Sequence, residues 1–275
     1  MEKITLSNVM KISNYLAKSK SSFFVNPFYL IENCYFEEKD GEILVGQPSA
    51  FRKNEFNLLH VPKSVKNGQG FTLLFDEEIE RLKNLGLKIV KKSELGIEYF
   101  YKTSDYLNLE GHEFSKIRKN INNLNKKYQV KMFNSYNMAK TADFIKKWSG
   151  LKDTAAMAKK ELDSFNHEVK TNIDALNLLE AVPNKSYFVE IDSELAGFRI
   201  TTKISDDLWV GIFKKVTHSF KGLDEYIYQV SASDYQGIPW FSTGPASGSY
   251  GLSEHKRSKH PKNEEMLYFV LTEKT

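Results

Sequence analysis

At 275 residues, 41% of them hydrophobic and 27% charged, the chain can bury one large core or two of about 130 residues each, and it is not of disordered composition. The single cysteine, Cys34, excludes an internal disulfide and any multi-cysteine zinc or iron–sulfur site. The formal charge of +4 is too small to imply nucleic acid, so the placement of charge carries more than its total.

The amino-terminal stretch Met1–Leu16 lacks the basic start, long apolar run and small-residue site of a secretory leader. No apolar run reaches the roughly 18 to 20 residues of a membrane span. A cytoplasmic protein in a reducing compartment is expected. In chain order, a helix is predicted over Leu6–Ala17, followed by a serine-rich break. Short runs at Phe28–Ile31, Tyr35–Phe36, Ile43–Val45 and Phe56–Val61 read as strands, with Asp40-Gly41 as a hairpin turn. Phe75–Leu85 has helical spacing and stops at Gly86. Leu87–Val90 and Ile97–Tyr101 read as strands. Over Gly111–Tyr128 the residues Phe114, Ile117, Ile121 and Leu124 mark one apolar helix face, and Val130–Phe133 follows as a strand.

In the second half, helices are predicted at Met138–Trp148, Ala156–Phe165 and Asn172–Leu179. A hairpin follows, Tyr187–Ile191 and Glu194–Thr201 around Asp192-Ser193, then a strand at Leu208–Phe213. The remaining elements are a helix over Gly222–Ser231, a strand at Pro239–Phe241, a helix at Gly251–Arg257 and a last strand at Met266–Leu271. This alternation is α/β. It is expected to divide into residues 1–133 and 134–275, forming one compact unit.

Two segments concentrate cations. Between Phe114 and Met132 stand Lys116, Arg118, Lys119, Lys126, Lys127 and Lys131 with no Asp or Glu. Such a face attracts the phosphates of a coenzyme, of RNA or of an anionic lipid surface; a solvated lysine helix is the plain alternative. The second segment is His255, Lys256, Arg257, Lys259, His260 and Lys262, preceded by the Gly/Ser-rich run Ser242–Ser253, in which small residues permit close backbone approach. Gly244-Pro245-Ala246-Ser247-Gly248 lacks the Gly-Lys-Ser/Thr ending of a P-loop. No HExxH motif or carboxylate/histidine cluster suggests a metal. Cys34 has no histidine beside it in sequence and reads as a buried core residue.

Asp105–Asn122 (Asp-Tyr-Leu-Asn-Leu-Glu-Gly-His-Glu-Phe-Ser-Lys-Ile-Arg-Lys-Asn-Ile-Asn) resembles the helix-start motif of the soluble domain of phosphatidylglycerol lysyltransferases and related uncharacterised proteins. Ser193-Glu194-Leu195-Ala196-Gly197-Phe198 is similar to their carboxyl-terminal hairpin, and Lys221-Gly222-Leu223 to the helix start after their central strand. Gly251-Leu252, Lys256, Ser258 and Pro261 are similar to their terminal pattern. The resemblance implies tandem acetyltransferase-like (GNAT-like) modules with mixed, mostly antiparallel sheets, and transfer of an aminoacyl group from aminoacyl-tRNA. Where relatives carry Asn and Glu near a Glu-Gln-Asp-x-Gly segment, this chain reads Phe241-Ser242-Thr243-Gly244-Pro245-Ala246-Ser247-Gly248, so a carboxylate contributed there is absent.

Acyl transfer needs a donor carbonyl beside a nucleophile, a base for its proton and donors for the oxyanion. Asp234, His255, Arg257 and Ser258 are the catalytic candidates, Asp234 and His255 as bases, Arg257 for developing charge and Ser258 for orienting the acceptor. Arg118, Lys119, Asn122, Lys126 and Lys256 are candidates for holding substrate, and Lys221 and Gly222 for a cofactor phosphate. No tightly bound cofactor is expected. Three functions stay open: aminoacyl transfer from aminoacyl-tRNA to a small-molecule or peptide acceptor, acyl-CoA-dependent N- or O-acyl transfer, and non-catalytic binding of RNA or an anionic lipid surface.

Overall fold

The computed structural model describes residues 1–273 apart from 51, 152, 153, 155, 156, 158, 236 and 247–249. In chain order the elements are β1 (Glu2–Lys3), α1 (Val9–Ala17), a 3₁₀ turn (Phe23–Val25), α2 (Pro27–Asn33), β2 (Tyr35–Lys39), β3 (Glu42–Pro48), β4 (Phe56–Leu58), β5 (Gly70–Leu74), α3 (Asp76–Asn84) and β6 (Ile89–Lys102). They continue with α4 (Thr103–Asn108), α5 (Ser115–Lys127), β7 (Val130–Phe133), α6 (Met138–Gly150), α7 (Lys159–Leu176), β8 (Lys185–Ile191), β9 (Glu194–Lys203), β10 (Leu208–Val216), α8 (Leu223–Ser233), β11 (Trp240–Pro245), α9 (Tyr250–Arg257) and β12 (Asn263–Thr272).

Local chemistry explains where these elements begin and turn. Asp40 and Gly41 both have positive φ, 51° and 77°, the geometry of a tight two-residue hairpin that matches strand twist. Asp192 and Ser193 repeat it at 52° and 72°. The strand expected at Phe28–Ile31 is instead helix α2. The Asn26 side chain accepts from the Tyr29 amide at 2.9 Å and Pro27 takes the first helical position, so an N-cap decides what a short apolar run leaves ambiguous. The two strands expected at Leu87–Val90 and Ile97–Tyr101 are parts of the single long β6. The two helices expected at Ala156–Phe165 and Asn172–Leu179 are parts of the single helix α7, Lys159–Leu176; Ala156 lies outside the described residues, and Asn177–Leu179 form turns beyond the helix end.

The chain divides into two compact units, each discontinuous in sequence: Met1–Tyr101 with Ile204–Val210 and Trp240–Thr275, and Lys102–Lys203 with Gly211–Pro239. The boundary expected after residue 133 falls within the second unit. The carboxyl terminus returns to the first unit because β12 runs antiparallel to both β5 and β6. In the first unit the strand order is β1-β2-β3-β4-β5-β12-β6-β11 followed by the start of β10, Leu208–Val210; in the second the rest of β10 is followed by β9-β8-β7. The pairs β4/β5 and β10/β11 are parallel; β1/β2, β2/β3, β3/β4, β7/β8 and β8/β9 are antiparallel.

One core of the first unit joins Leu58, Val61, Phe71, Leu74, Ile79, Leu82 and Val270. Beside it Lys20, 3% exposed, places its ammonium 2.5 Å from Glu78 and 2.6 Å from the Leu73 carbonyl. The second unit packs Leu124 of α5 with Val189, Ile191, Ala196, Leu223 and Ile227, and Ile145 and Leu176 against Phe188, Phe198 and Ile200.

Candidate functional site

Helix α5 divides its faces by charge. Ile117, Asn120, Ile121 and Leu124 are buried, and removal of this apolar stripe from water anchors the helix. Lys116, Lys119, Asn122, Asn123, Lys126 and Lys127 are exposed. Among the described residues no carboxylate lies within 4.0 Å of Lys116, Lys119, Lys126 or Lys127. Four uncompensated ammonium groups on one short helix generate a field that favours a polyanion. Arg118 is placed differently. Its guanidinium donates to the Leu109 carbonyl and, at 2.9 Å, to the Gly111 carbonyl, so it fixes the turn between α4 and α5, where Leu109 has φ of 50°.

The segment linking β10 to α8 meets this helix. Gly222 has φ of 97°, and a Cβ built there would stand 2.4 Å from the Asn120 carbonyl oxygen, so the approach of the two backbones excludes any side chain. A cleft of about 230 Å³ opens beside it, lined by Asn120, Asn123, Leu124, Lys127, Tyr128, Ser219 and Lys221. The structure thus brings Lys221 together with α5. The first turn of α8 carries Asp224 and Glu225. Asp224 bonds the Lys214 ammonium, and Glu225 accepts from the Asn120 amide at 3.3 Å. Two carboxylates already complement the positive end of this helix.

The remaining candidates of the second unit centre on Asp234. Its carboxylate accepts from the Tyr187 hydroxyl at 3.0 Å and lies 3.7 Å from the Lys185 ammonium. Burial, then the neighbouring Tyr235 and Asp234, push the Tyr187 phenol far above its ordinary range, with Arg199 pulling the other way; Tyr187 therefore stays a neutral hydrogen-bond donor. Arg199, 1% exposed, donates to the Ser231 hydroxyl at 2.6 Å and stacks 4.4 Å from the Tyr228 ring centre. A Cβ at Gly211 would come within 3.1 Å of its guanidinium. Sequence reading missed both Tyr187 and Arg199. An arginine in a strand ordinarily faces solvent, and only the glycine at 211 hinted at the room it needs.

In the first unit, His255, Lys256, Arg257 and Ser258 lie on or directly after α9. Lys256 is 6% exposed and donates to the Thr243 and Gly244 carbonyls at 2.7 and 2.6 Å, while the Tyr101 hydroxyl donates to its carbonyl at 3.0 Å. Its charge holds the end of β11 to α9. Arg257 donates to Glu264 through Nε at 3.2 Å and Nη2 at 3.0 Å, and this carboxylate raises an already high guanidinium pKa further. Ser258 donates to the His255 carbonyl at 2.8 Å. Nearby, the buried Glu98, also missed, accepts from the Ser22 and Ser242 hydroxyls and the Phe23 amide, each at 2.7 Å. Burial raises its pKa against these donors. Within the Gly/Ser-rich run, Ser247 and Gly248 lie outside the described residues.

Among the described residues no group of three or more His, Cys, Asp or Glu could hold a metal ion, and no helix is long and apolar enough to cross a membrane. The fold is a GNAT-like α/β fold. In comparisons with solved structures, the chain is similar to a conserved protein of unknown function from Bacteroides thetaiotaomicron VPI-5482, with 15% identity and a TM-score of 0.83 over 99% of each chain. It is also similar to the L-PGS from Bacillus licheniformis, with 12% identity and a TM-score of 0.66 over 100% of this chain and 94% of that one. No curated protein matches it. The family model described as phosphatidylglycerol lysyltransferase, C-terminal, matches residues 35–274. The chain belongs to this family, one of aminoacyl-group transferases.

Proposed function

We propose that the protein transfers an aminoacyl group from aminoacyl-tRNA to a soluble small-molecule or peptide acceptor. The observation that carries this reading is the uncompensated lysine face of α5, in a chain whose family transfers aminoacyl groups. An RNA donor brings a line of phosphates that such a face attracts along its length. In the reaction the acceptor's nucleophile attacks the ester carbonyl of the donor, a new acyl bond forms, the ester bond to the terminal ribose breaks, and the released ribose oxygen takes up a proton. Asp234 is the favoured base. Its carboxylate is held by Tyr187 and remains partly exposed, its side chain 40% accessible. A separate alternative, confined to the first unit, has His255 as the base, Arg257 for the developing charge and Ser258 to orient the acceptor.

The acyl-CoA reading is weaker on electrostatic grounds. A coenzyme phosphate at the start of α8 would meet Asp224 and Glu225 in the first helical turn, where the same dipole that attracts an anion is already neutralised. A protein that binds RNA without transfer shares the α5 surface and differs only in product.

The discriminating experiment offers charged tRNAs and acyl-CoAs with labelled acyl groups, together with amine, hydroxyl and peptide acceptors, and identifies labelled products by mass. Label is expected to leave aminoacyl-tRNA and enter an acceptor, with no transfer from acyl-CoA. Transfer from acyl-CoA alone would overturn the proposed donor. Tight tRNA binding without transfer to any acceptor would favour the non-catalytic reading.

A further inference from the structure

The cleft beside α5 is too small for a whole coenzyme and has the chemistry of a subsite. Pockets that enclose drug-sized ligands run from about 300 to 1,000 Å³; this one holds about 230 Å³. Part of its lining is fixed in place: Leu124 is 1% exposed and lies in the core, and the backbone of Asn120 is held against that of Gly222. Its rim is cationic and hydrogen-bonding, with exposed Lys127, Lys221, Ser219 and Asn123. The Tyr128 ring, held edge-on by Phe220 at 5.0 Å, forms a wall. Among the described residues neither Lys127 nor Lys221 has a carboxylate within 4.0 Å. The acids of this region, Asp224 and Glu225, are committed to Lys214 and Asn120, and neither lines the cleft.

We propose that this cleft is a subsite for one phosphate of a nucleotide, with Lys127 and Lys221 on the phosphate oxygens, Ser219 donating a third bond, and Asn123 and Tyr128 against the attached ribose. Two lysines lining one small cleft match a dianion or a bridging phosphodiester, and charge-assisted hydrogen bonds supply the affinity. The proposal rests on the donor reading in one respect: in the working protein the phosphate is one of the RNA donor's own. It also differs from phosphate capture at a helix end, because the cationic groups come from the flank of α5 and from the segment before Gly222, while the first turn of α8 is acidic.

The test is a nuclear magnetic resonance titration of the full chain with adenosine 5′-monophosphate, using adenosine and inorganic phosphate as controls. The monophosphate is expected to shift the amides of Asn123, Lys127, Ser219 and Lys221 and to bind more tightly than either control. The double variant Lys127→Ala, Lys221→Ala should bind it about tenfold or more weakly, since two charge-assisted bonds are removed, while Lys140→Ala, an exposed lysine of α6, binds as wild type. Unmoved cleft amides, a double variant that binds like wild type, or adenosine binding as well as its monophosphate would overturn the subsite. Inorganic phosphate binding as tightly as the monophosphate would overturn its nucleotide character. Binding of charged tRNA while the monophosphate leaves the cleft unmoved would remove the subsite and leave the donor reading standing; occupancy of the cleft with no tRNA binding would do the reverse.

Discussion

His60 shows how one side chain links burial to the pH dependence of the fold. It is 3% exposed, its Nε2 lies 3.0 Å from the Ile43 carbonyl and its ring meets Tyr15 edge-on. Burial lowers its pKa to about 4, against about 6.5 in an unfolded chain. Between these values the unfolded chain binds more protons than the folded one, so stability falls as the solution is acidified from about pH 6.5 towards 4. A shift of this size corresponds to about 3 kcal/mol when complete. Chemical denaturation at a series of pH values should show that loss in wild type and its absence in His60→Gln; an equal loss in both would exclude His60 as the cause. Glu98 acts in the opposite sense. Its raised pKa makes the folded chain the better proton binder above the ordinary carboxylate range of about 4.3, so its contribution declines as pH rises until it ionises. In Glu98→Gln the amide oxygen can still accept from Phe23 and Ser242 and the amide nitrogen can donate to Ser22, so this variant should fold and lose that decline. A persistent decline would assign it to another group.

At the scale of elements, the join between α5 and α8 depends on a residue without a side chain. Gly222→Ala adds a methyl where the Asn120 carbonyl oxygen stands at 2.4 Å, at a φ of 97°, so steric and conformational costs combine. Gly86 has a similar φ of 78° with nothing within 4 Å of its Cβ position, and its alanine variant carries the conformational cost alone, about 1 kcal/mol. Urea titrations should rank Gly222→Ala as the more destabilised by about 1–3 kcal/mol; equal losses would show that the backbones separate readily. The same elements show what could be read in the sequence. Helix α5, β7 and both hairpins were legible because helical apolar spacing and Asp-Gly or Asp-Ser turns are local properties. Helix α2 was not, since Phe28–Ile31 suits either state until Asn26 caps it. The candidate site is visible in the sequence as charge and not as geometry. The lysines of α5 and the Lys221-Gly222 pair stand out in the sequence, but that Lys127 and Lys221 line one cleft, the diversion of Arg118 and Lys256 onto backbone carbonyls, and the Tyr187–Asp234 hydrogen bond all depend on tertiary packing.

For the whole molecule, the discontinuous division into two units follows from the terminal strand β12 pairing with β5 and β6, elements more than 160 residues earlier in the chain. Sequence reading has no local cue for such a return, which is why a boundary near the midpoint was expected. A net charge of only +4 conceals a cationic face, and the function proposed depends on that face binding the phosphates of RNA. Lys116, Lys119 and Lys126 are exposed helical lysines, so their replacement by alanine should leave stability nearly unchanged. The most direct test is the salt dependence of aminoacyl-tRNA binding in wild type and in the triple variant Lys116→Ala, Lys119→Ala, Lys126→Ala. Each lysine–phosphate ion pair removed should flatten the plot of log affinity against log salt by about 0.7–0.9, so a reduction of about 2–3 is expected together with weaker binding at low salt. An unchanged slope and affinity in the folded triple variant would contradict the assignment of α5 as the donor-binding face.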